Sequence, residues 1–240
     1  MRHDGRADDE LRPLDLLPGF VAAADGSVLF SIGNTRVICT ASIDSDTPRW
    51  LRGSGRGWVS AEYGMLPAST GQRKQRDSSR GRPDGRSIEI QRLIGRSLRA
   101  IVDLEALGER TVWVDCDVLQ ADGGTRCASI CGGYVALHRA LSDLVDAGAL
   151  PGLPLTAGVA AISCGIVDGE AVLDLDYHED STAEVDLNVV MTSGGRLVEV
   201  QGTAEGQPFD RVQLDRLLEL GAHGMQRIES AQLQAVAAAR

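Results

Sequence analysis

Three short stretches hold residues that could do chemistry on an anion. Gly123, Gly124, Thr125 and Arg126 stand in QADGGTRCASICGGY, directly after the alternating run VWVDCDVL. Two glycines, a hydroxyl and a guanidinium where a strand hands over to a helix fit either a tight turn or an anion cradle. In a cradle, backbone N–H groups reach a phosphate and the arginine holds it. The second stretch is GRPDGRSIEIQRLIGR, where Arg86 precedes a helical pattern and Arg92 and Arg96 lie on it. An arginine at a helix N-terminus adds a full charge to the partial positive charge already there. The third is LDLDYHEDSTAEVDLN, with Asp174, Asp176, Glu179, Asp180, Glu184 and Asp186 crowded together. Carboxylates this dense repel, so burial demands a cation, a shared proton or a partner. A strand over 185–191 would put Asp186 and Asn188 on one face. Asp180, in the preceding loop, could then join Asp186 around one Mg²⁺, a hard ion that takes oxygen ligands and keeps several waters. An acidic loop in solvent is the alternative. His178, in the same stretch, is either a general base or an exposed loop histidine.

Two arginine-bearing anion sites and a carboxylate metal site are the parts for attack on a phosphorus atom. A free phosphate brought to about 4 Å from a phosphodiester meets a repulsion on the order of 8 kcal/mol at an effective dielectric of about 20. Arginines and Mg²⁺ must offset that. A water nucleophile carries no such charge and leaves the second anion pocket without a purpose, so the duplication favours phosphate as the attacking group. GxxxxGK[ST] is absent, which removes ATP chemistry by that route. GxSxG is absent too, and His3, His138 and His223 have no companions for a Ser or Cys nucleophile, so acyl-transfer hydrolysis has no support.

Charge sharpens the partner. The net charge of −10 argues against nucleic acid, but residues 49–100 hold 12 of the 24 basic residues against four acids, Glu62, Asp77, Asp84 and Glu89. The positive surface is concentrated, as a polyanion path requires. Within that segment, STGQRKQRDSSRGRPDGR (69–86) is too polar and glycine-rich to pack, and reads as a solvated loop that leads into the arginine-bearing helix. Cys39, Cys116, Cys127, Cys131 and Cys164 fall among apolar or small neighbours and read as core thiols; the CASIC pair lacks the second pair that a four-ligand zinc site needs. No apolar run approaches the roughly 18 residues of a membrane span. The N-terminus MRHDGRADDELR lacks the apolar segment of a secretory signal, and a cytoplasmic location is expected.

The elements that must position these residues follow from periodicity. DGSVLFSIG and TRVICTASID, joined across Gly33 and Asn34, form a hairpin, and GWVSAEYGM a further strand. From Ser87 the period becomes helical, through Ile88, Leu93, Ile94, Leu98, Ile101 and Val102, and a C-cap at Gly108 is expected. A strand over 111–119 and a helix from Thr125 to Val145 follow. AGVAAISCGIV, EAVLDLD, EVDLNVVMT and RLVEVQG read as four strands, and a helix runs from Phe209 to the end. No linker divides the chain, and the order is that of an α+β or mixed α/β fold.

These residues resemble the bacterial ribonuclease PH family of phosphorolytic 3′–5′ exoribonucleases, kin to the cores of polynucleotide phosphorylase and the exosome. The match runs through MRHDGR, DELRP, GSVL, GWVSAEYGMLP, EIQRLIGRSLRA, LGERTVWVDCDVLQADGGTR, LDLDYHEDS and VEVQGTAEG, nearly the whole chain. The resemblance implies one domain over 1–240, built of two similar βαβα-type halves and assembled as a homohexamer, a trimer of dimers. It implies inorganic phosphate as co-substrate at Arg86, Gly124, Thr125 and Arg126, with Asp180 and Asp186 as catalytic and metal-binding aspartates for Mg²⁺, Mn²⁺ being the alternative. It further implies that Arg73 and Arg76 grip transfer RNA, that Arg92 and Arg96 extend the RNA track, and that precursor transfer RNAs are trimmed at their 3′ ends with release of nucleoside diphosphates. The reaction is reversible and can add nucleotides to RNA. A non-catalytic RNA-binding ring subunit is the rival reading. The chain departs from the usual pattern at Ser87, Cys127 and Cys131, where threonine is common, and at Cys164, where valine is; Cys127, beside Arg126, is expected to confer sensitivity to oxidants.

Overall fold

Val28, Phe30 and Ile32 alternate with Leu29 and Ser31, so one face of that segment is buried. In the computed structural model, which describes residues 2–76, 79, 81, 82 and 84–238, they form β2 (Gly26–Ile32). Through Gly33 and Asn34 it turns into β3 (Thr35–Asp44), with Ile32 opposite Thr35, as the alternation requires. β1 (Leu14–Pro18), which the sequence pattern did not single out, adds an antiparallel edge to β2. β5 (Thr111–Gln120) pairs antiparallel with β3, and β4 (Trp58–Met65) runs parallel to β5, for the order β1-β2-β3-β5-β4. The four later strands form a second, antiparallel sheet: β6 (Val159–Val167), β7 (Glu170–Leu173), β8 (Val185–Thr192) and β9 (Leu197–Ala204), in the order β7-β6-β8-β9. The expected mixed α/β architecture is the one observed.

Helix α1 (Gly85–Arg99) starts where Asp84 accepts a hydrogen bond from the Ser87 N–H at 2.6 Å, and its stripe of Ile90, Leu93, Ile94 and Leu98 is buried. Contrary to the expectation of one helix to Gly108, α1 stops at Arg99. Val102 is drawn into a bridge with Leu155, and the Asp103 carboxylate caps a new single turn, α2 (Leu104–Leu107), which ends at Gly108. Competition from a β-branched residue and a strong N-cap thus overrides helical periodicity.

Helix α3 (Thr125–Asp146) lies between the sheets, against β2, β3 and β6, which is why its first half is buried on nearly every side. The approach is close: a Cβ on Gly26 of β2 would stand 2.1 Å from the Ala136 carbonyl oxygen. Only glycine allows that contact. A one-turn helix α4 (Tyr177–Asp180) replaces part of the expected acidic loop, and α5 (Arg211–Ala238) packs on β6, β7 and β1. One buried cluster runs through both sheets, from Val28 and Phe30 through Ile130 and Leu137 to Ile162, Leu187 and Leu217. Of the polar stretch 69–86, residues 77, 78, 80 and 83 lie outside the described residues, as do residues 239 and 240, over which the sequence expects the last helix to continue.

Candidate active site

The GGTR stretch forms a tight turn that opens directly into a helix without a side-chain cap. Gly123 and Gly124 have φ of 76° and 67°, the left-handed region, and a Cβ on Gly123 would meet the Leu175 carbonyl oxygen at 2.6 Å. Gly124, not Thr125, is the N-cap of α3, and it supplies no side-chain cap. The N–H groups of the first turn therefore have no partner within the helix and carry its partial positive charge. Thr125 departs from expectation: its hydroxyl is buried and shared with the Tyr63 hydroxyl at 3.0 Å, so what it presents at the turn is its backbone N–H. Arg126 reaches out of the first turn to Gln201 on β9, and to Glu89 on α1 at 3.4 Å. Those partners orient the guanidinium from both halves of the chain.

Arg12 fastens the turn from behind. Its Nε and Nη2 donate to Asp174 at 3.0 and 2.7 Å, its backbone N–H to the same carboxylate at 2.8 Å, and its Nη1 to the Asp122 carbonyl oxygen. Asp174, 1% exposed with φ of 55°, is held in the left-handed region by this set. One guanidinium thereby ties the loop before α4 to the loop before α3. None of Arg12, Tyr63, Gln201 and Glu89 carried a pairing signal in the sequence, because each acts across more than thirty residues of chain.

The acidic stretch divides in two. Asp174, Asp176 and Glu179 are buried and answered by side chains of the N-terminal segment: Arg2 binds Glu179 through two nitrogens at 2.6 and 2.7 Å, Arg6 reaches Glu179 and Asp174, and His3 binds Asp176 at 2.6 Å. Asp176 and Glu179 also close a capping box around α4, whose last residue is Asp180. Glu184 is exposed and accepts from the Gly169 N–H. These four are structural, which leaves Asp180 and Asp186 for chemistry.

Burial raises the Asp186 carboxyl to about 6, the neighbouring Asp180 adding to the rise, against the pull of Arg126, a hydrogen bond from Asn188, and Arg86. Asp180 is raised as well, by the desolvation of its surroundings, while Arg86, Arg126 and Arg12 draw it down. Both acids thus feel both predicted anion-site arginines, so Arg86, Arg126, Asp180 and Asp186 form one electrostatic unit. Asp180 and Asp186 are the carboxylates here that could hold a hard cation such as Mg²⁺ through oxygen ligands.

Asn188 answers the question of Cys127. The Cys127 thiol donates to Asn188 Oδ1 at 3.3 Å, and Asn188 Nδ2 lies 3.4 Å from each Asp186 oxygen. Cys127 is 4% exposed, and burial pushes its thiol well above the ordinary range. With the thiolate suppressed and access closed, the expected oxidant sensitivity has no physical basis. All five cysteines are buried free thiols, as expected.

The titration of Asp186 makes a prediction. Its carboxyl is raised in the native state, so its contribution to stability is present below the ordinary carboxylate pKa near 4 and is lost as pH rises through about 6. In metal-free buffer, Asp186→Asn is expected to melt higher than the parent near neutral pH, with the difference closing below about pH 4. Thermal denaturation at a series of pH values with chelator present measures this; a lower melting temperature at neutral pH would refute it.

The remaining predicted residues lie outward. Arg86 is exposed at the start of α1, and Arg92 farther along the same helix. Arg73 and Arg76 are exposed on the polar loop. Arg96 is not free: Glu199 on β9 holds it by two bonds of 2.9 Å. The His178 ring is stacked on His3 at 4.7 Å between centroids, on α4 beside the acidic pair.

A family model described as the 3′ exoribonuclease family, domain 1, matches residues 10–142, and domain 2 of the same family matches 158–224. Among solved structures the chain is similar to rice (Oryza sativa) Rrp46, with TM-score 0.78, 21% identity, and coverage of 98% of this chain and 100% of that one. It is similar to a chain of an Archaeoglobus fulgidus exosome with RNA bound to the active site, with TM-score 0.80, 24% identity and coverage of 95% and 91%. A chain of an archaeal exosome core follows, with TM-score 0.75, 23% identity and coverage of 96% and 91%. At these identities the likeness speaks to fold.

Proposed function

Because the chain belongs to the RNase PH 3′ exoribonuclease family, we propose that it is a phosphate-dependent 3′–5′ exoribonuclease, a nucleotidyltransferase that trims precursor transfer RNAs. The observation that carries this reading is the electrostatic unit in which Arg86 and Arg126 act on both Asp180 and Asp186. Arg126 and the free N–H groups opening α3 hold inorganic phosphate on one side, and Arg86 at the head of α1 closes on it from the other. A phosphate oxygen attacks the last internucleotide phosphorus. The bond from phosphorus to the 3′ oxygen of the penultimate residue breaks, a nucleoside 5′-diphosphate leaves, and the shortened RNA takes up a proton at that oxygen.

Asp180 and Asp186 would hold Mg²⁺, with Mn²⁺ the alternative, and the bound ion would stabilise charge on the phosphoryl oxygens. Asp180, the last residue of α4, would relay a proton from water to the departing oxygen. The chain's other contribution is orientation, since two arginines fixed from different helices hold nucleophile and diester together against their mutual repulsion. A diphosphate product retains the energy of a phosphoanhydride, so the step runs backward when nucleoside diphosphate is abundant, adding nucleotides to RNA.

Arg73, Arg76 and Arg92 form the outer RNA track, sequence-independent contacts to the backbone. Arg96 joins it once Glu199 releases it. In this reading residues 1–240 act as one unit in a homohexamer, a trimer of dimers, in the cytoplasm. Among the described residues no helix is long and apolar enough to cross a membrane. Exosome chains share the fold, and a non-catalytic RNA-binding ring subunit is the alternative. RNA with a free 3′ hydroxyl separates the two: nucleoside diphosphates should appear only when phosphate and Mg²⁺ are both supplied. RNA binding without any release would favour the ring subunit, and monophosphates formed without phosphate would overturn phosphorolysis.

A further inference from the structure

None of the four histidines is used by the proposed chemistry, and two of them, His3 and His178, stack on each other. His3 Nε2, an Asp4 carboxylate oxygen and an Asp176 carboxylate oxygen lie within 4.8 Å of one another, the one such trio of His, Cys, Asp or Glu among the described residues. His3 and Asp4 are exposed while Asp176 is 6% exposed, so an ion could enter from solvent and find a fixed ligand at the bottom. From these residues we propose a divalent transition-metal site of the zinc type, distinct from the Asp180–Asp186 pair.

The ligands are oriented from behind, as metal ligands are. The Glu179 N–H donates to Asp176 Oδ1 at 3.0 Å, leaving Oδ2 for His3 at 2.6 Å. Arg6 holds both Asp4 oxygens, through its backbone N–H at 3.1 Å and its Nε at 2.5 Å, and each oxygen keeps a second lone pair. The His178 ring, stacked on His3, limits the imidazole to rotation in its own plane. Tetrahedral zinc with bonds of about 2.1 Å sets its ligands about 3.4 Å apart, so the metal widens the His3–Asp176 contact and draws in Asp4 by side-chain rotation alone. One imidazole and two carboxylates select Zn²⁺ or Co²⁺ over Mg²⁺, which prefers oxygen throughout. The bound ion would pin the N-terminal segment to the N-cap of the helix that ends in Asp180.

The test uses the full chain carrying Asp180→Asn and Asp186→Asn, so that the other acidic pair cannot contribute, and Co²⁺ as a spectroscopic probe. One equivalent should bind with visible absorption from nitrogen and oxygen ligation, be displaced by Zn²⁺ and resist a large excess of Mg²⁺. Adding His3→Ala should weaken Co²⁺ binding by about tenfold or more. His3→Gln retains a hydrogen bond to Asp176 without the imidazole, and should lose the metal while melting as the parent does without it. Absence of Co²⁺ binding, displacement by Mg²⁺, or unchanged affinity in folded His3→Gln would overturn the site.

Discussion

Arg126→Ala should lower kcat/KM for inorganic phosphate by about two to three orders of magnitude, the cost of removing one preorganised charge donor from a reacting anion. The loss should fall mainly on the phosphate requirement, because Arg126 opens the helix whose uncapped N-terminus receives the nucleophile. RNA binding should change little, since Arg73, Arg76 and Arg92 lie elsewhere. Stability should also be nearly unaltered. The guanidinium is partly exposed, and the Gln201 and Glu89 groups it leaves behind can turn to water. Initial rates of nucleoside diphosphate release over a range of phosphate concentrations measure the effect. A wild-type phosphate dependence would take Arg126 out of the site and, with it, most of the reason for reading GGTR as a cradle.

Arg12→Ala should destabilise the fold by about 3–5 kcal/mol, the range for removing one partner of a buried ion pair. The argument rests on what remains. Asp174, 1% exposed, would be left with the Arg12 backbone N–H as its closest donor and with Arg6 at 3.5 Å, and it would have to hold its left-handed backbone without the guanidinium. Arg12→Lys should not rescue, because a point charge cannot serve Asp174 and the Asp122 carbonyl at once. Asp174→Asn in the Arg12→Ala background should recover part of the loss, since asparagine removes the stranded charge and tolerates positive φ. Urea unfolding of the single and double variants measures both terms. A loss below about 1 kcal/mol would show that the two halves are held together at the cradle by something other than this pair.

The two variants probe different layers of one site. In the proposed reaction Arg126 belongs to the surface that meets phosphate; Arg12 belongs to the frame that holds the turn in place. In the sequence both are arginines near glycine or aspartate, and nothing local separates them. The same holds in the acidic stretch, where Asp174, Asp176, Glu179 and Asp180 alternate within a few residues. Three of the four are consumed by Arg2, Arg6, Arg12 and His3, more than 160 residues earlier in the chain, and the fourth, Asp180, is left near Asp186.

Periodicity and turn chemistry by themselves determined the β2–β3 hairpin, both sheets' main strands and the bodies of the three long helices, because those depend on neighbours within a few residues; β1 and the one-turn helices α2 and α4 came only with the fold. Residue type and spacing likewise marked Arg86, the GGTR turn and the Asp180 and Asp186 stretch as places for anions and a cation. Three things waited for the tertiary structure: the break of α1 at Ala100, set by the Val102 bridge to Leu155; the burial of Cys127 behind Asn188; and the division of the carboxylates between frame and site. Each is decided by a partner distant in the chain and close in space. The free energy of a charge depends on what replaces its water, and that is known only once the chain has folded.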